Sequence, residues 1–115
     1  MISYEDFKQV EVRAGKILAA AKIPETDKLL QLSVDLGEPS PRTIVSGIAL
    51  HFPDPSLLVG KTAMFVANLA PRVIRGVESH GMLFAVSTPA TADQPEGAFS
   101  LLEPNQSISP GTLAA

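Results

Sequence analysis

This sequence predicts an all-β domain: a small barrel of five strands with one short helix between the third and fourth and an appended C-terminal segment. Three observations carry that prediction. From Leu30 to Leu36, "LQLSVDL" alternates apolar and polar residues without a break, the period of a half-buried strand. "RTIVSGI" and "KTAMFVAN" are β-branched or apolar runs bounded by Gly and Pro, the composition of strands. The helical signals are all about one turn long.

In chain order, Ser3 to Phe7 reads as a capped turn with Ser3 at its head. The first strand follows. Val10 and Val12 share one of its faces, but Ile17 and Leu18 no longer keep that phase, so a bulge is expected at Gly15. The alternating second strand ends in the turn "GEPSP", and "RTIVSGI" is the third strand. "DPSLLVG" places Pro55 at a first helical position behind an Asp cap, with Gly60 as the stop. The fourth strand, "KTAMFVAN", leads into "LAPRVIRGVE", read as a loop, and then into a fifth strand around "LFAV". Beyond Ser87, "TPATADQPEG" is an extended loop, and "AFSLLEP" and "SISPGTLA" return as one or two short strands. A bent strand, two strands, a short helix and two more strands is the order of the OB-fold, a partly open five-stranded barrel. Another small barrel is the alternative that order alone leaves open.

The 115 residues make one domain, with the barrel complete by residue 90 and residues 91–115 as the extension. Phe99, Leu101, Leu102 and Ile108 are too apolar to stand in water. They are expected to cover a patch on their own barrel or on a partner's, which makes a homodimer the expected assembly.

The lack of cysteine excludes a disulfide framework and any thiolate nucleophile or thiolate metal site, and it fits a cytoplasmic protein. Charges at Glu5, Asp6 and Lys8 predict no secretory signal, and no apolar run reaches the length of a membrane span. A net charge of -3 disfavours an indiscriminate polyanion binder, so any anion site must be local. One stretch is locally basic: "ANLAPRVIRGVESHGM", from Ala67 to Met82, sets Arg72 and Arg75 between two apolar runs.

Enzyme chemistry finds no footing. Ser79 in "GVESHG" lacks the spacing of a nucleophile elbow, and His80 beside it would point to the opposite face of a strand. The two histidines, His51 and His80, lack zinc-ligand partners; His51 with Asp54 is a weak metal candidate, and no Gly-rich phosphate loop occurs. No cofactor, metal or catalytic residue is expected.

The pieces "DFKQVEVRAGKI", "DKLLQLSVDLGEP", "RTIVSGI", "LVGK", "ANLAPRVIRGVESHGM" and "PGT" run in order from Asp6 to Thr112. Together they resemble the tRNA-binding domain found at the carboxyl end of many methionyl-tRNA synthetases, in a free-standing tRNA-binding protein and in endothelial monocyte-activating polypeptide relatives. The resemblance implies an OB-fold that binds the body of tRNA with little regard to sequence, as a homodimer in bacterial relatives, alone or in trans with an aminoacyl-tRNA synthetase.

Carried over residue by residue, the resemblance implies an RNA-binding set of Lys28, Arg42, Asn68, Arg72, Arg75, Ser79 and Met82. Lys28 and Arg42 open the second and third strands, where a cation meets phosphate or merely solvent. The Asn68 amide suits a base edge or a 2′-hydroxyl, or else closes its own loop. Arg72 and Arg75 offer guanidinium forks. Ser79 suits a phosphate or ribose, and Met82 either packs on a base or belongs to the core. Ala70 and Val73 stand where related loops often carry lysines, and aromatic residues are too few for a stacking platform, which leaves His51, Phe52 and His80 as possible base contacts. A small export-related chaperone resembles the same domain, so capture of unfolded polypeptide is the alternative function.

Overall fold

The computed structural model describes residues 1–115. A short helix, α1 (Tyr4–Phe7), opens the chain, with the Ser3 and Asp6 side chains capping each other's backbone N–H groups. Five strands then form an antiparallel sheet that curls almost into a barrel: β1 (Val12–Lys22), β2 (Leu30–Asp35), β3 (Arg42–Ser46), β4 (Thr62–Val66) and the short β7 (Met82–Leu83). Their spatial order is β3-β2-β1-β4-β7. This is the expected OB-type barrel. Between β3 and β4 lie two single turns of 3-10 helix, Ala49–His51 and Pro55–Leu58, the second capped by the Asp54 carboxylate on the Ser56 N–H.

The core follows the sequence pattern. Ile17, Leu30, Leu32, Val34, Ile44, Leu58 and Phe65 are fully buried side chains, contributed by four strands and the capping turn. In β2 the inward positions are Leu30, Leu32 and Val34, as the alternation requires.

The bulge falls elsewhere than expected. Gly15 is in register with Ala63 of β4, and the irregularity in the β1–β2 pairing lies between Ile17 and Ala19, at Leu18. Gly15 answers a packing need instead: a Cβ there would lie 2.7 Å from Val34 Cγ1, 2.8 Å from Phe65 Cδ2 and 2.9 Å from Leu36 Cδ2. The phase change that the sequence displays is real, but the extra residue is the exposed Leu18.

The stretch read as a loop between the fourth and fifth strands is itself a hairpin, β5 (Arg72–Ile74) with β6 (Val77–Ser79). Arg75 and Gly76 form its turn with φ of 51° and 79°, the two left-handed residues of a type I′ connection. The C-terminal segment also returns to the barrel. Strand β9 (Phe99–Leu101) pairs with β8 (Ala85–Ser87), and residues 111–114 run along the start of β1. There Gly111 N donates to Ala14 O (2.7 Å), Ala14 N to Thr112 O (2.9 Å) and Ala114 N to Val12 O (2.7 Å). The C-terminal Ala114 and Ala115 thereby line a crevice with Tyr4 and Phe7, so the two ends of the chain meet at one corner. No helix is long and apolar enough to cross a membrane.

Candidate nucleic-acid interface

β3 is an edge strand of the sheet, and its outer N–H and C=O groups need partners. The β6–β7 stretch supplies them. His80 N donates to Thr43 O (2.9 Å), and the Val45 N–H donates to the Ser79 hydroxyl (3.0 Å), which in turn donates to Gly81 O (3.3 Å). This seam nearly closes the barrel, and the β5–β6 hairpin projects from it.

Arg42, at the head of β3, reaches the same seam. Its Nη1 donates to the carbonyls of both Ala67 and His80, while Nε and Nη2 each donate to a Glu38 carboxylate oxygen at 2.8 Å. Hydrogen bonding to Arg42 holds the Glu38 carboxyl below its ordinary value, and the same bond raises the Arg42 guanidinium. Asn68 pins the beginning of the excursion: its Oδ1 accepts from Glu11 N (2.9 Å) and its Nδ2 donates to Gln9 O (2.6 Å). Thus three residues of the implied RNA-binding set, Arg42, Asn68 and Ser79, spend their polar groups on the protein. Ser79 is also buried, at 4% exposure.

The remaining members face outward. Arg72 and Arg75 are exposed on the hairpin, and Met82, at 46% exposure, stands at the start of β7. Lys28 is exposed in the loop between β1 and β2, where its carbonyl accepts from Ala49 N at 3.0 Å. β2 pairs with β3 along its length, from Leu30 opposite Ser46 to Val34 opposite Arg42, and β6 of the hairpin lies against the other edge of β3, with Ser79 at Val45 and His80 at Thr43.

Charge pairing sharpens the picture. Of the nine lysines and arginines, Lys8, Arg13, Arg42 and Lys61 lie within 4.0 Å of carboxylates, leaving Lys16, Lys22, Lys28, Arg72 and Arg75 without one. Lys22 closes β1 beside the Lys28 loop and was missed by sequence reasoning; its only signal is an exposed lysine at a strand end. The aromatic candidates are otherwise engaged. His51 stacks on Phe99 with centroids 4.9 Å apart, Phe52 meets the same ring edge-on at 5.7 Å, and His80 Nε2 lies 3.3 Å from a Glu78 carboxylate oxygen. Ala70 and Val73, in place of lysines, are exposed. No group of three or more His, Cys, Asp or Glu side chains is arranged to hold a metal.

The fold and this seam define a class, the OB-type barrel with a basic excursion between its last two strands. The chain belongs to the "Putative tRNA binding domain" family, whose model matches residues 12–113. It is 50% identical over 111 residues to a methionine–tRNA ligase of Myxococcus xanthus and 49% identical over 112 residues to that of Methanoregula boonei, which covers 96% and 97% of this chain. It spans about 15% of the length of these curated relatives. Among solved structures it is similar to a MetRS-related protein from Pyrococcus horikoshii, with 36% identity, a TM-score of 0.85 and coverage of 100% of this chain and 98% of that one. It also resembles the chaperone CsaA of Bacillus anthracis at 24% identity and a TM-score of 0.79, covering 100% of this chain and 99% of the other, a likeness of fold alone. The chain is therefore a domain of the tRNA-binding family, related to one part of methionine–tRNA ligases.

Proposed function

We propose that this chain binds the body of folded tRNA with little regard to sequence, as a non-catalytic homodimer that works in the cytoplasm, free-standing or in trans with an aminoacyl-tRNA synthetase of the methionyl type. The observation that carries this reading is the pair Arg72 and Arg75. They are exposed and without acidic partners on a hairpin tied to the barrel at its root. A guanidinium fork suits phosphate oxygens, and a tied hairpin presents two of them without first ordering a loop. Lys28 and Lys22 extend the phosphate track, and Met82 offers a polarizable surface to a base or ribose. Arg42, Asn68 and Ser79 belong to the site as its frame. With His51 and Phe52 packed on Phe99, recognition rests on backbone and shape, the mode suited to A-form RNA.

The test is an electrophoretic shift with tRNA at two salt concentrations. Arg72→Ala with Arg75→Ala is expected to weaken binding at least about tenfold, since charged hydrogen bonds are worth roughly 1.5–3 kcal/mol each, while the fold stays intact. Undiminished affinity in the folded double variant removes the hairpin from the site.

One observation favours a second reading, capture of unfolded polypeptide. Met64, Leu101, Leu102, Ile108 and Leu113 line an apolar groove beside the C-terminal segment. Salt separates the two, because phosphate binding weakens steeply as salt rises and apolar capture does not.

A further inference from the structure

Residues 68–79 leave the barrel after Ala67 and return before His80, and a single amino group, Arg42 Nη1, donates to the carbonyls at both of those boundaries. The rest of the guanidinium is taken by Glu38, whose two carboxylate oxygens accept from Nε and Nη2 in a fork at 2.8 Å. Glu38 is half exposed, and an acid near an RNA surface opposes binding by its charge alone. Its neighbours do not require it: across the same polar cleft, Arg13 is already paired with Glu11 at 2.8 Å and donates to Gly111 O. What the carboxylate does is fix the plane of the guanidinium, since a fork bound at two points cannot rotate about its stem.

We propose that Glu38 is a positioning residue for RNA binding: by holding the Arg42 fork, it fixes the one amino group that ties both ends of the hairpin together, and so sets the angle at which Arg72 and Arg75 meet phosphate. This rests on the hairpin being the RNA-binding element. The competing arrangement gives Arg42 to an RNA phosphate and makes Glu38 a counter-charge that the RNA displaces. The two predict opposite signs.

The test uses the full chain with Glu38→Gln and, separately, Arg42→Lys, which keeps the positive charge but not the fork. Two measurements are made: tRNA affinity as a function of salt, and amide hydrogen exchange of the protein alone. Both variants are expected to bind about three- to tenfold more weakly with an unchanged salt slope, because the number of phosphates neutralised is the same. Hairpin amides should exchange faster while those of β1 and β2 stay protected, which also verifies that the barrel is folded. Tighter binding by Glu38→Gln with a steeper slope would overturn the proposal, as would hairpin exchange unchanged in both variants. Should the unmodified protein bind no tRNA at any salt, the functional reading fails, and the exchange measurement still decides whether the clamp exists.

Discussion

At Gly15 the chain has room for a hydrogen and nothing larger, because Val34, Phe65 and Leu36 converge on the missing Cβ. Gly15→Ala is expected to cost about 1–3 kcal/mol through overpacking, measured as a lower urea midpoint with an unchanged slope. Glu38 gives a second residue-scale expectation. A carboxyl lowered by its folded partner contributes stability that is fully present above its unfolded value, 4.5, and is lost as pH falls through the lowered one. The hairpin clamp should therefore be intact at neutral pH. Hairpin amide protection, followed by exchange, should fall in the acid range below 4.5, and Glu38→Gln should remove that pH dependence. At this scale the sequence is a partial guide. It marks Arg42, Asn68 and Ser79 as polar residues of interest, but the bonds that tie them to the barrel and the excursion, to Ala67, His80, Val45, Gln9 and Glu11, span 25 to 59 positions, and no local spacing reveals those. The same letters serve equally as ligand contacts or as a frame.

Among the elements, β2 was legible because one face is buried and one is wet, so its period of two is unbroken. The Pro55 turn was legible from its cap and its proline. The β5–β6 hairpin was not. A two-residue I′ turn is usually announced by Asn-Gly or Asp-Gly, and here the first left-handed position is Arg75, a residue that rarely adopts it. That substitution is a compromise between turn geometry and charge. Arg75→Asn should relieve it, raising the melting temperature slightly while weakening tRNA binding by about threefold to tenfold. Calorimetry and gel shift on the same sample check both halves, and a parallel rise or fall of the two would contradict the compromise. The bulge at Leu18 was misplaced for a related reason, since a glycine inside a strand signals either a bulge or a close approach, and only the neighbours decide.

For the molecule as a whole, the net charge of -3 and the small number of unpaired cations leave one protomer with few phosphate contacts. A two-fold pair presents them twice on one RNA surface. We propose that the groove beside the C-terminal segment, offered above to unfolded polypeptide, is also the surface of that pairing, and Ile108 and Leu113 stand in it at 37% and 49% exposure. Ile108→Glu with Leu113→Glu is expected to give a folded monomer by sedimentation. Its log–log salt slope for tRNA should be about half that of the unmodified protein, at roughly 0.9 per phosphate lost. A variant that stays dimeric, or a monomer with the full slope, contradicts this assembly.

The meeting of the two chain ends has a mechanical consequence. Residues 111–114 lie along the beginning of β1, and Asn68 at the root of the hairpin grips Gln9 and Glu11 a few residues upstream. A leash fastened at residue 1 and one fastened at residue 115 would therefore pull from the same corner, next to the hairpin root. Whichever end carried it, the barrel would swing about the same pivot, and the arginines would sweep much the same volume around the anchor.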